Sequence, residues 1–132
     1  MYHSPFEDFV TEPGSYCGIL LFGLIQELSW ESIHLLLEKV PLWSAKEAFI
    51  FVSGFTIEDP SYAEMSRGKQ IGENSFMDTD GNIHTYLEPN EILQLFSDHE
   101  AFHHWEGLGP LHKHGDGPEH RHGSVRAVLR TA

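Results

Sequence analysis

Seven of the chain's ten histidines lie between His99 and Gly123, in the stretch HEAFHHWEGLGPLHKHGDGPEHRHG. Imidazoles at this density offer metal ligation, proton transfer or a response to pH. His99 and His103 are four residues apart; on a helix that spacing sets both rings on one face, one turn from each other, where they can chelate one ion. Glu100 would then stand beside them as a general base for a bound water. Further along, His112 with His114 and His120 with His122 form two H-x-H pairs. Alternate residues on an extended segment share a side, so two such pairs brought together present up to four imidazoles to zinc, nickel or copper.

His99-Glu100-Ala101-Phe102-His103 resembles the active-site helix of the zincin metallopeptidases. The resemblance covers five residues and implies zinc held by His99 and His103, with Glu100 as the catalytic base. It stops there: the longer form of the motif has glycine and histidine where this chain has Glu106 and Gly109. Other site patterns fail sooner. Aligning Gly81 with the sixth position of a calcium loop puts Phe76 and Leu87 where carboxylates are required. No G-x-G-x-x-G, P-loop or G-x-S-x-G pattern occurs. His34, flanked at helical spacing by Glu31 and Glu38, is expected to form a weak surface ion pair.

The chain has 132 residues, enough for one domain with a self-sufficient core and no requirement for a cofactor; zinc is the candidate if a metal is used at all. Its one cysteine, Cys17, excludes an internal disulfide and, lying in an apolar run, is expected to be buried. That run, YCGILLFGLI, is about half a bilayer crossing and lacks a basic flank, so neither a membrane span nor a signal is expected and a cytoplasmic location follows. The formal charge is −12, and it is uneven: residues 1 to 112 carry four basic and eighteen acidic side chains, residues 113 to 132 four and two. Such a surface argues against direct nucleic-acid binding and for a basic protein partner, such as a nuclease or toxin, and with no span or lipidation motif no membrane partner is expected. Trp30, Trp43 and Trp105, with Glu31 and Glu38, are the candidate interface residues. The leading functional expectation is therefore a small acidic inhibitor of the immunity or antitoxin type. The alternatives are a zincin-type hydrolase and a non-catalytic histidine-rich metal binder.

The elements that must position these groups read as follows. Residues 1–14 form an irregular arm docked through Tyr2, Phe6 and Phe9. Ser15 caps a buried helix running to Ile25; Ser29 caps an amphipathic helix through Trp30, Ile33, Leu36, Leu37 and Val40, ended by Pro41. Ser44 and Glu47 form a capping box for a third helix, AKEAFIFVSGFTI. Asp59-Pro60 opens a short helix ending near Ser66. Alternation between Lys69 and Leu87, around DTDGN, predicts a β-hairpin. A further helix, EILQLFSDHEAFHHWE, leads into a histidine-rich loop over 106–123 and a last short strand or helix, SVRAVLR. The fold class expected is α+β: one mostly helical domain over 1–132 with a small antiparallel hairpin or sheet.

Overall fold

The computed structural model describes Gly14, residues 16–109 and residues 121–131. In chain order its elements are β1 (Tyr16–Leu21), a 3-10 turn (Ile25–Glu27), α1 (Trp30–Trp43), β2 (Ser44–Thr56), α2 (Ser61–Met65), β3 (Lys69–Gly72), β4 (Ser75–Met77), β5 (Ile83–Leu87), α3 (Glu91–Leu95), β6 (Glu100–Leu108) and β7 (Gly123–Arg130). The expected mostly helical domain is thus overturned. A mixed sheet dominates the described residues, and only α1 among the helices exceeds five residues.

β2 is the spine. One edge carries β1, parallel through Gly18–Phe49 to Leu21–Val52, and then, past the end of β1, the parallel pairs Phe55–Tyr86 and Thr56–Leu87 with β5. The other edge carries β7, antiparallel from Phe49–Arg130 to Phe55–Ser124, and β6 pairs antiparallel outside β7. β3, β4 and β5 form an antiparallel meander that extends the sheet beyond the carboxyl end of β1. β1, α1 and β2 make one βαβ crossover, the connection that parallel neighbours require.

Ser44–Thr56 forms a strand where a third helix was expected over 45–57, and the reason is visible in the side-chain period. Ala48, Ile50, Val52 and Thr56 are buried while Phe49, Phe51, Ser53 and Phe55 point the other way, an alternation of two. The capping box is absent: the Ser44 hydroxyl donates back to the Val40 carbonyl at 2.6 Å and closes α1. The run from Tyr16 is likewise a strand and not a core helix, since an unbroken apolar segment carries no period by which to choose. Its position exposes Cys17, which had been expected inside. α1 agrees with the sequence, capped by the Ser29 hydroxyl accepting from the Ser32 amide at 3.2 Å. It continues past Pro41 to Trp43, because a proline in the last turn costs one hydrogen bond without breaking the helix. α2 and the β4–β5 hairpin also stand as expected. The arm's Tyr2, Phe6 and Phe9 lie outside the described residues.

The core fills one side of the sheet. Ile33, Leu36 and Val40 of α1, with Ile92 and Phe96 around α3, pack onto Ile50, Val52, Val125, Ala127 and Leu129. The opposite face keeps Leu20, Phe49 and Phe102 in solvent, at 68%, 39% and 51% exposure. There the Arg130 guanidinium lies 5.8 Å from the ring centres of both Phe49 and Phe102.

Candidate functional site

The carboxyl end of β2 is where the chain concentrates polar chemistry. Immediately after the strand the backbone turns, and Asp59 is buried with 4% of its surface exposed. A buried carboxylate must be satisfied by donors, and among the described residues four reach it. Oδ1 accepts from the Gly123 amide at 2.9 Å and from His122 Nδ1 at 3.1 Å. Oδ2 accepts from the Ser61 amide at 3.1 Å and the Ser61 hydroxyl at 2.5 Å. With its hydrogen committed to Asp59, the Ser61 oxygen accepts from the Tyr86 hydroxyl, 2.7 Å away. Burial, the largest influence, holds the Tyr86 phenol above its ordinary value, and the Asp59 charge adds to that.

The network ties three elements together: the loop after β2, the start of β7 and β5. Gly123 is required for it. A Cβ at that position would stand 2.2 Å from the Asp59 nitrogen and 2.5 Å from the Glu58 carbonyl carbon, closer than any atoms can pack. A second chain of contacts braces the meander. The Tyr62 hydroxyl donates to Asn74 Oδ1 at 2.6 Å, and Asn74 Nδ2 donates to Glu88 Oε1 at 2.9 Å.

Above this network lies a groove with two lobes that share Gln26 and Phe55. The first, about 610 Å³, runs between the 3-10 turn and β5, past Glu27, Asn82, His84 and Tyr86. The second, about 390 Å³, is bounded by Phe55, Trp105, His122, Ser124 and Arg126. His122 stacks on Phe55, centres 5.0 Å apart and planes 10° from parallel, so Asp59 from below and Phe55 from the side fix its ring. Arg126 lies over Trp105 at 4.9 Å. Gln26 Oε1 is shut off from solvent and meets no donor among the described residues. At the rim, Asp78 Oδ1 accepts from the Asp80 and Asn82 amides, and Gly81 takes φ +84, which is the turn chemistry expected of DTDGN. The His84 ring against its other oxygen, at 2.8 Å, holds the Asp78 carboxyl below its usual range.

The zinc motif does not assemble. Residues 100–108 are a strand, with Glu100 opposite Arg130 and His103 opposite Val128, separated by a bulge that breaks their register. His99 precedes the strand, edge-on to Phe96 with ring centres 5.4 Å apart. Both its nitrogens are buried without partners among the described residues, and burial depresses its pKa. Among the described residues no three His, Cys, Asp or Glu side chains converge as a metal site. His112, His114 and His120 lie outside the described residues. Of the histidine candidates among the described residues, only His122 belongs to the groove. The proposed interface residues also disperse. Trp43 is in the core, and Trp30 donates through Nε1 to the Glu73 carbonyl at 2.5 Å. Only Trp105 lines the groove. Glu31 and Glu38 lie on α1, where His34 faces Trp30, ring centres 6.1 Å apart, with no ion pair to either glutamate. Sequence reasoning missed Asp59, Phe55, Tyr86 and Gln26. Asp59 had one legible signal, its place before Pro60, which was read as a helix cap and is in part that.

Neither a family model nor a curated protein matches this sequence. The fold does match solved structures. It superposes on a SAM-dependent methyltransferase from Methanosarcina mazei with a TM-score of 0.72 at 12% identity, over 95% of this chain and 63% of the other. Against the 1,6-didemethyltoxoflavin-N1-methyltransferase of Burkholderia thailandensis, solved with its substrate and S-adenosylhomocysteine, the TM-score is 0.66 at 11% identity, over 97% and 48%. Against a SAM-dependent methyltransferase from Anabaena variabilis it is 0.61 at 16%, over 87% and 49%. The chain therefore spans between about half and just under two-thirds of their lengths. This likeness overturns three expectations together: the immunity-type inhibitor, the zinc hydrolase, and a chain needing no cofactor or at most zinc. The cofactor named for these solved structures is S-adenosylmethionine. The turn after β1 does not fit it as a cradle. Parallel sheets hold a nucleoside cofactor on a glycine-rich first turn, whereas the turn after β1, FGLIQELS, has only Gly23 and is filled by the 3-10 turn.

Proposed function

We propose that this chain takes part in methyl transfer from S-adenosylmethionine and that its groove holds the methyl acceptor. The fold likeness over 95% of the chain carries the proposal. The groove supports it by position, since ligands of open α/β sheets bind towards the carboxyl ends of the strands, and Ser53, Gly54 and Phe55 near that end of β2 line it. The Asp59 network gives the groove a rigid floor: a carboxylate with four donors has no freedom left, and His122 inherits its orientation. The second lobe is aromatic and the first amide-rich and polar, so an acceptor would be held by ring stacking at one end and hydrogen bonds at the other. No helix among the described residues is long and apolar enough to cross a membrane. A cytoplasmic site of action forms part of the proposal.

The test is incubation of the purified protein with tritium-labelled S-adenosylmethionine and a small-molecule extract of its source cell. Labelled small-molecule product is expected, reduced about tenfold by Phe55→Ala, which removes the stacking platform. Label appearing in no fraction would overturn the proposal.

A further inference from the structure

We propose that His122 is the base of the groove, taking the proton from the acceptor's nucleophilic atom, and that Asp59 is the positioning residue that makes Nε2 its basic nitrogen; this assignment rests on the reading of the groove as an acceptor site. A neutral imidazole accepts a proton only through the nitrogen that carries a lone pair, and which nitrogen that is depends on what the other one meets. Here Nδ1 meets Asp59 Oδ1 at 3.1 Å. Asp59 is buried, and each of its oxygens already accepts from a backbone amide, Oδ1 from Gly123 and Oδ2 from Ser61. The carboxylate therefore acts as an acceptor on both sides. Nδ1 must hold the ring's hydrogen, and the lone pair falls to Nε2.

The surroundings keep that assignment fixed and leave the ring within reach. The backbone of His122 is tied on both sides: its carbonyl accepts from the Gly109 amide at 2.9 Å, and the Gly123 amide that follows donates to Asp59 at 2.9 Å. The ring lies against Phe55, planes 10° from parallel. Yet 37% of the side chain is open, and it lines the second lobe beside Ser124 and Arg126. A carboxylate that orients a histidine in this way divides the labour as carboxylate–histidine pairs do in acyl-transfer enzymes.

The step is a single proton transfer. The X–H bond of the acceptor breaks, with X an oxygen or nitrogen; its electron pair stays on X, which becomes the stronger nucleophile, and the proton forms the Nε2–H bond. The imidazolium so made lies against the Asp59 carboxylate, which offsets its charge. The acceptor class follows: a hydroxyl compound, or an amine or amide that has a hydrogen to lose, rather than a fully substituted nitrogen.

The first test is a long-range proton–nitrogen correlation spectrum of the nitrogen-15-labelled full chain at alkaline pH, with His122→Gln identifying the signals. Nδ1 is expected to carry the hydrogen and Nε2 the lone pair, and Asp59→Ala should abolish that preference. Should Asp59→Ala fail to fold by circular dichroism, the wild-type spectrum alone decides, and a hydrogen on Nε2 would overturn the assignment. The second test uses the tritium-label assay. His122→Gln should lower kcat about a hundredfold with little change in KM. His122→Ala should regain transfer in added imidazole, in proportion to the neutral fraction of that base. Transfer by His122→Gln at the wild-type rate would reject the base alone, whereas the expected tautomer in a protein that transfers no label rejects methyl transfer alone.

Discussion

At the scale of single residues, the groups with the least freedom are those that the sequence did not advertise. Asp59→Asn would replace an acceptor of four hydrogen bonds by an amide whose NH2 faces donors, so about 1–3 kcal/mol of stability should be lost in a denaturant titration. The His122 ring signals in an NMR spectrum should shift in the same variant. His99 gives a prediction with a definite sign. Burial lowers its folded pKa below the ordinary imidazole value, so the unfolded chain binds the proton more readily than the native one. The stabilising difference is fully present above the unfolded value, near 6.5, and is lost as pH falls through the window between the unfolded and folded values. His99→Phe, which keeps the edge contact to Phe96, should flatten that part of the stability profile. Thermal melts of wild type and variant across pH 8 to about 5 would check it, and parallel profiles would refute it.

At the scale of elements, the legible and illegible segments differ for identifiable reasons. α1 was readable because its apolar residues recur at three and four and Ser29 caps it; the β4–β5 hairpin was readable because Asp78, Gly81 and Asn82 state the turn. β1 and β2 were not, because aromatic and aliphatic residues occupy both faces of a strand when one face is core and the other is also apolar. Phe49, Phe51 and Phe55 erased the alternation that Ala48, Ile50 and Val52 would otherwise have shown. β6 misled in the opposite sense. Its His99-to-His103 spacing fits a helix, but α3 stops at Leu95 and the bulge between Ala101 and His103 lets the strand carry the same residues without bringing them together. Of the site, only His122 and Trp105 had been singled out, for reasons unrelated to their place in it. The start of β7 supplies the sharpest element-scale prediction. Gly123→Ala should cost about 3 kcal/mol, at the upper end of overpacking penalties, because its methyl must displace the backbone at Asp59. Gly81→Ala, with nothing near its Cβ but a positive φ, should cost only about 1 kcal/mol.

At the scale of the whole molecule, the sheet is dressed on one side by α1 and α3 and presents apolar side chains to solvent on the other. Exposed surface of this kind binds reporter dyes, so 8-anilinonaphthalene-1-sulfonate fluorescence should rise on mixing with the native protein, and Phe102→Lys should lower it while leaving the melting temperature within a degree or two. β1 adds a directional element to that surface. Among the described residues it pairs only with β2, along the sequence YCGILL. A strand that is apolar, uncharged and free of proline is the kind that templates the addition of further strands. The shelf life of the purified protein is then governed by this strand and not by the depth of its core. Time courses of light scattering at rising concentration should show a lag that Leu20→Lys lengthens, although that substitution touches neither the groove nor the packing beneath it.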